Sequence, residues 1–235
     1  MSLVLLSTGG TGGHIYPAVA LARELTAMGL GAGPQVAFIG QQGGMEARLV
    51  SAEGFPFYGV RAGKWHRGRP DPRQALQAAL GLRDALKTVR RLRPALVLGF
   101  GGFASFPGLA AARTLGVPFA LHEQNAYPGL VTRWFARGAR FIGAAQPEVA
   151  AHLPRPVRPR LRSVGMPVRE VRVAKTEARR RLGLPETGRV TLVLGGSQGS
   201  VVLNRAVPEA FARLGEAYRQ DHTVSIAPAQ RTLKA

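Results

Sequence analysis

The strongest constraint on this chain lies at its start. Apolar Leu3-Val4-Leu5-Leu6-Ser7 runs into Thr8-Gly9-Gly10-Thr11-Gly12-Gly13-His14, and a helical pattern opened by Pro17 follows. An apolar run without polar alternation suits a strand covered on both faces, which requires a parallel sheet with helices on either side. The same punctuation recurs. It predicts strands over residues 35–39, 57–61, 95–98, 117–121 and 140–143, with helices over 16–28, 45–53, 72–91, 106–115 and 128–136 between them. The predicted class is α/β, with a mostly parallel, doubly wound sheet.

From Pro154 to Pro167 the text changes to Pro-Arg-Pro-Val-Arg-Pro-Arg, where repeated prolines oppose a helix and the charges oppose burial. A domain boundary is expected there, giving a first domain over 1–160 and a second over 161–235. In the second, a helix is predicted over 176–182, a strand over 190–194, a glycine turn, a helix over 201–214 and a strand over 223–226. Two strands cannot cover their own sheet, so this domain is expected to be partial.

Lys and Arg number 32 against 13 Asp and Glu, a formal charge of +19. Such a field attracts phosphate, anionic lipid or nucleic acid, or reflects an arginine-rich proteome. The aromatics are few and lie mostly within apolar segments, which argues against a nucleic-acid groove. The absence of cysteine excludes disulfides and thiolate metal sites. Residues 1–6 lack a basic region and a long apolar stretch, so they do not read as a signal peptide. No run approaches the roughly 18 apolar residues that span a bilayer, so any membrane contact is expected to be peripheral.

The first glycine turn joins a strand to a helix N-terminus. Glycines let backbone approach a ligand, and the helix start offers amides and a positive dipole end, a pairing suited to phosphate; the alternative is a tight turn only. It is neither a Walker loop nor a dinucleotide fingerprint, since Gly40-Gln41-Gln42 provides no acid for a ribose. His14 at this helix start would be kept neutral, either as a proton acceptor or as a cap. A second such turn, Gly195-Gly196-Ser197-Gln198-Gly199, suggests a second phosphorylated ligand. Gly99-Phe100-Gly101-Gly102-Phe103-Ala104-Ser105 and His122-Glu123-Gln124-Asn125 each follow a strand, on the edge where doubly wound sheets bind ligands. Glu123 reads either as a site residue or as a buried partner for an arginine.

These motifs, together with Gly165-Met166-Pro167-Val168-Arg169, occur in the order and rough spacing of the MurG family of GT-B glycosyltransferases, which the chain resembles from about Leu3 to about Leu214. It departs at Met166, where that family usually has Asn, and over Ala217–Ala235. The resemblance implies two Rossmann-like domains, an acceptor domain and a donor domain. It implies inverting transfer of N-acetylglucosamine from UDP-GlcNAc to the C4 hydroxyl of N-acetylmuramoyl-pentapeptide on undecaprenyl pyrophosphate, the lipid I acceptor. Thr11, Gly12, Gly13, Asn125, Arg169, Ser197 and Gln198 would contact the sugar nucleotide. His14 would be the base, with Glu123 as second choice. Helix dipoles and Arg169 would offset charge on the leaving diphosphate, so neither metal nor cofactor is called for.

The helix over 72–91 adds a membrane argument. Ala75, Ala79, Leu82, Leu86 and Val89 are expected to face the core, beside a stripe of Arg73, Leu76, Leu80, Arg83, Lys87 and Arg90. With Lys64, Trp65, His66, Arg67 and Arg69 upstream, the stripe reads as a face for anionic lipid headgroups, the alternative being a plain solvated face, and the resemblance implies that the membrane surface is the cytoplasmic one of a bacterium.

Overall fold

The computed structural model describes residues 2–28, 35–62, 72–168, 173–195, 200–214 and 222–226. The chain divides into two compact units, Met1–Arg169 and Glu170–Ala235.

In the first unit β1 (Leu3–Ser7), α1 (Gly12–Ala27), β2 (Gln35–Gln41), α2 (Met45–Ala52) and β3 (Phe57–Val60) lead to the long α3 (Pro72–Leu92). Then come β4 (Leu96–Gly99), α4 (Phe106–Thr114), β5 (Phe119–Glu123), α5 (Leu130–Phe135), β6 (Ile142–Ala144) and β7 (Leu161–Ser163). The strands form one sheet in the order β3-β2-β1-β4-β5-β6-β7, every pair parallel. Strand order reverses between β1 and β4. In such sheets the crevice for a ligand opens at that point, beyond the carboxyl ends.

The apolar runs are continuous because successive side chains enter different cores. Leu5, Ala37, Ile39, Val97, Phe119 and Leu121 pack on one face, with Ala85 and Val89 of α3 and Leu109 of α4. Leu6, Val36, Phe38, Leu98 and Ala120 pack on the other, with Ile15 and Val19 of α1 and Val50 of α2. Each fully buried Leu, Ile or Phe contributes about 1.5–3 kcal/mol relative to exposure.

Glycine sets how closely α3 approaches the sheet. A Cβ at Gly81 would overlap the carbonyl oxygen of Arg61 at the end of β3. Glycine inside a helix costs about 1 kcal/mol relative to alanine, a cost that this close approach offsets. The buried stripe of α3 runs through Gly81, Ala85 and Val89, with Ala78, Leu82 and Leu86 half-buried. Ala79, expected in the core, is exposed, because the Gly81 contact turns the helix. Leu76, Arg83, Lys87 and Arg90 of the basic stripe are exposed and Leu80 half-buried. The side chains of Arg73 and Ala75, and all of residues 64–69, lie outside the described residues.

Three expectations shift. The strand predicted over 117–121 lies at Phe119–Glu123, so His122 and Glu123 end a strand rather than begin a loop. Pro118 has no N–H for a ladder, and pairing starts with Phe119 opposite Val97. The proline-rich segment forms a 3-10 helix, Arg155–Arg160, with Val157 buried. Short 3-10 turns accommodate prolines, because their first amides lack internal partners. Its arginines bind backbone: Arg160 Nη1 donates to the carbonyls of Arg137 (2.9 Å) and Ala139 (3.1 Å), and Arg158 Nε to that of Leu153 (3.3 Å). Finally, Leu161–Ser163 pairs with β6, so a boundary after residue 160 would cut the first sheet.

In the second unit α6 (Lys175–Arg181), β8 (Arg189–Val193), α7 (Val201–Ala212) and β9 (His222–Ile226) follow, with β8 and β9 parallel. Buried Arg179 organises the turn before β8, donating to the carbonyls of Pro185, Thr187 and Gly188. Ser200 caps α7 through the Leu203 amide. Leu192, Val201 and Val202 are exposed. Among the described residues no helix is long and apolar enough to cross a membrane.

Candidate active site

The turn after β1 is built on a buried acid. Glu46, 1% exposed in the first turn of α2, accepts from the amides of Gln41 (2.9 Å) and Gly10 (3.4 Å). Gly9, Gly40 and Gly44 close around its side chain, and a Cβ at any of them would collide with it. Gly9 (φ 147°) and Gly10 (φ 89°) also hold backbone angles that favour glycine. The sequence reading passed over Glu46. Its only signal in the sequence is the spacing of four from Val50, and the structure buries both on one helix face.

This turn delivers Thr11 to the N-cap position of α1, where its side chain makes no capping bond to the helix. Its hydroxyl lies 2.8 Å from Nδ1 of His14 instead. The Thr8 hydroxyl donates to the His14 carbonyl at 2.8 Å. The amides of Gly12 and Gly13 open the helix beside the ring.

The turn after β4 closes on the same ring. Gly101 (φ 79°) and Gly102 (φ 71°) precede a 3-10 helix, Phe103–Ser105, that leads into α4. A Cβ at Gly101 would stand 3.2 Å from His14 Cδ2, and one at Gly102 would stand 3.3 Å from Nδ1 and overlap the Gly9 carbonyl. Ser7 Oγ at the end of β1 donates to the Ser105 carbonyl at 3.0 Å, pinning the two turns together. The His14 ring is thus wedged between glycine turns at the sheet's switch point. Burial lowers its pKa below the usual imidazole value, while the Glu123 carboxylate pulls the other way.

The end of β5 supplies the third wall. Glu123, 2% exposed, accepts four hydrogen bonds: from the Asn125 amide (3.0 Å), Asn125 Nδ2 (3.1 Å), the Gly129 amide (3.0 Å) and the Thr132 hydroxyl (2.6 Å). It pairs with no arginine among the described residues; its charge is met by a loop folded over it. Asn125 is itself exposed, tethered by that carboxylate. His122 Nε2 lies 3.1 Å from the Gly165 carbonyl, which can only accept, so Nε2 carries the proton. Its Nδ1 then accepts from Gln124 Nε2 at 3.1 Å. Burial lowers the His122 pKa, opposed by the Gly165 carbonyl and Glu123.

Of the predicted site residues, Thr11, Gly12, Gly13 and His14 sit together at the start of α1. Glu123 and Asn125 stand at the carboxyl end of β5, two strands away. Arg169, Ser197 and Gln198 lie outside the described residues. Among those described, no group of three His, Asp or Glu side chains gathers as a metal site would require.

Comparison with known proteins agrees with this geometry. The glycosyltransferase family 28 N-terminal domain matches residues 4–143. The UDP-N-acetylglucosamine–N-acetylmuramyl-(pentapeptide) pyrophosphoryl-undecaprenol N-acetylglucosamine transferase of Deinococcus radiodurans is 52% identical over 217 residues, covering 91% of this chain and 52% of the relative. The transferase of that name from Thermus thermophilus is 45% identical over 212 residues, covering 90% and 60%. The chain therefore spans about half the length of the curated relatives it matches. The crystal structure of Acinetobacter baumannii MurG superposes with a TM-score of 0.67 at 26% identity, over 97% of this chain and 66% of that one. A Listeria monocytogenes structure described as a UDP-N-acetylglucosamine 2-epimerase reaches 0.63 at 12% identity, a likeness of fold alone. The α/β class and the GT-B type of the sequence reading are what the sheet and these likenesses show. On the match over 4–143 and the wedge of His14 between two glycine turns, the chain belongs to glycosyltransferase family 28.

Proposed function

We propose that this chain carries the acceptor domain of an inverting transferase that moves N-acetylglucosamine from UDP-GlcNAc to the C4 hydroxyl of N-acetylmuramoyl-pentapeptide on undecaprenyl pyrophosphate. The observation that carries the reading is the His14 wedge: a half-buried imidazole beside the first amides of a helix, at the switch point of a parallel sheet. Relatives 52% and 49% identical to this chain over 217 matched residues bear the name of that activity.

The amides of Gly12 and Gly13, with the dipole of α1, suit a diphosphate. When the Thr11 hydroxyl accepts from Nδ1–H, Nε2 of His14 is left with its lone pair, the tautomer a base requires. The acceptor hydroxyl then attacks C1 of the sugar, the C1–O bond to UDP breaks with its electrons leaving on the diphosphate, and the hydroxyl proton passes to Nε2. The four hydrogen bonds on Glu123 disfavour it as the base. Its part is to hold Asn125 and to keep negative charge near an imidazole that becomes cationic. Arg169, Ser197 and Gln198 would receive the UDP moiety, as the family resemblance implies. Association with the cytoplasmic face of the membrane through Leu76, Leu80, Arg83 and Arg90 of α3 belongs to the same reading.

The test is equilibrium binding of a short-chain lipid pyrophosphoryl-N-acetylmuramoyl pentapeptide to this chain, with inorganic pyrophosphate as competitor. Saturable binding that pyrophosphate displaces supports the reading. A single-stranded oligonucleotide held more tightly, with a steep salt dependence, would replace it with nucleic-acid binding.

A further inference from the structure

Away from the glycine turns, a groove runs between the carboxyl ends of β2 and β3 and the flank of α3. Its basic end is a cavity of about 540 Å³ lined by Arg61, Lys87, Thr88 and Arg91. Its amide end is a cavity of about 400 Å³ lined by Gln41, Gln42, Gln74 and Gln77. Gln42 and Arg61 line both, so the two are continuous. The amide end starts beside the first turn, since the Gln41 amide donates to Glu46, the carboxylate that also holds Gly10.

The charges are unevenly committed. Asp84 takes a bidentate pair of bonds from Arg61, Nε and Nη2 each at 2.7 Å, and this hydrogen bonding holds Asp84 below the usual carboxylate range. That pair neutralises itself. Arg91 lies over the Tyr58 ring at 5.5 Å, and neither it nor Lys87 has a carboxylate within ion-pair distance among the described residues. Lys87 and Arg91 therefore face the groove without an ion-pair contact, beside an Asp84 whose charge Arg61 takes up.

We infer that this groove binds the peptide stem of the acceptor, with glutamine amides along the peptide backbone and Lys87 and Arg91 on its carboxylates. The inference rests on the proposed acceptor. Side-chain amides both donate and accept, which matches a peptide backbone and has no special use for a phosphate. The length fits. Gln77 and Arg91 are 14 helical steps apart, about 21 Å at 1.5 Å per residue, against about 17 Å for five extended residues.

The test measures binding of three soluble probes to this chain: the short-chain pyrophosphoryl-N-acetylmuramoyl pentapeptide, its carboxamide-terminated form and the same compound without peptide. Expected is about tenfold tighter binding of the free pentapeptide form than of the peptide-free form, with the carboxamide between them. Lys87→Glu with Arg91→Gln should erase that advantage and leave the peptide-free affinity unchanged. Circular dichroism of the double variant checks its fold, and Gln77→Ala provides a second, milder perturbation of the same preference. Equal binding of the peptide-bearing and peptide-free forms by the unaltered chain overturns the inference while sparing the acceptor reading. Equal weakening of both in the double variant overturns it in favour of diffuse anion attraction. Binding of none of the three removes the acceptor reading, and this inference with it.

Discussion

The Thr11 hydroxyl stands 2.8 Å from Nδ1 of His14, three residues along, at the position where a threonine would ordinarily cap the helix. A group diverted from capping to an imidazole orients the ring and selects its tautomer. Thr11→Val keeps the shape and removes the oxygen. A fall of about tenfold or more in kcat, with acceptor KM little changed, is expected in a GlcNAc transfer assay of a form extended to the length of its relatives. An equal loss in kcat and kcat/KM that Thr11→Ser fully restores points the same way; unchanged kcat removes Thr11 from the mechanism.

Glu46 organises the first turn from beneath. Glu46→Ala removes the carboxylate acceptor of the half-buried Gln41 amide and of the Gly10 amide in the turn, a loss of about 1–3 kcal/mol. Urea unfolding should show it as a lower midpoint with the same slope. Stability within a few tenths of a kcal/mol of the parent contradicts the role.

Two histidines give the fold an acid limit. His14 and His122 bind protons more weakly in the folded chain than in the unfolded one, because burial lowers both pKa values. Below about pH 6.5 the unfolded chain takes up protons that the folded chain refuses. Their contribution is therefore complete above that pH and is lost as pH falls through the folded values. Asp84 and Glu177, held low by hydrogen bonds from arginines, add their loss only in the more acidic carboxylate range. Chemical denaturation at pH 7.5 and 5.5 should show lower stability at 5.5, and His122→Gln should reduce the difference. A parent chain equally stable at both contradicts the assignment.

The exposed stripe of α3 predicts contact with anionic lipid. Leu80→Glu with Arg83→Glu should reduce co-sedimentation with vesicles containing anionic lipid several-fold, by about 1 kcal/mol per basic residue near the surface, and leave thermal stability nearly unchanged. Unchanged co-sedimentation refutes the face.

Much of this was legible in the sequence because the sheet is covered on both sides. Leu5 and Leu6 enter different cores, so apolar runs without alternation mark the strands, and the glycines after them mark the turns. The Gly9–His14 turn and the His122–Asn125 segment were found because polar residues at strand ends have nothing to pack against. What escaped depends on contacts between distant segments. The partners of Glu46 come from β2 and the first turn. Those of Glu123 come from Asn125, Gly129 and Thr132, in a loop that folds back over the carboxylate. β7 carries Arg162 and Ser163, and it is a strand because β6 pairs with it. The facing of α3 was misjudged at Ala79, since the close approach of Gly81 to Arg61, rather than apolar periodicity, sets its rotation.

His14→Ala tests the central claim most directly. Transfer of radiolabelled GlcNAc by a form extended to the length of its relatives and carrying this change should fall at least about a hundredfold, with the melting temperature and UDP-GlcNAc binding essentially retained. Turnover within about threefold of the parent, at equal folding, would show that the imidazole between the two glycine turns is not the proton acceptor.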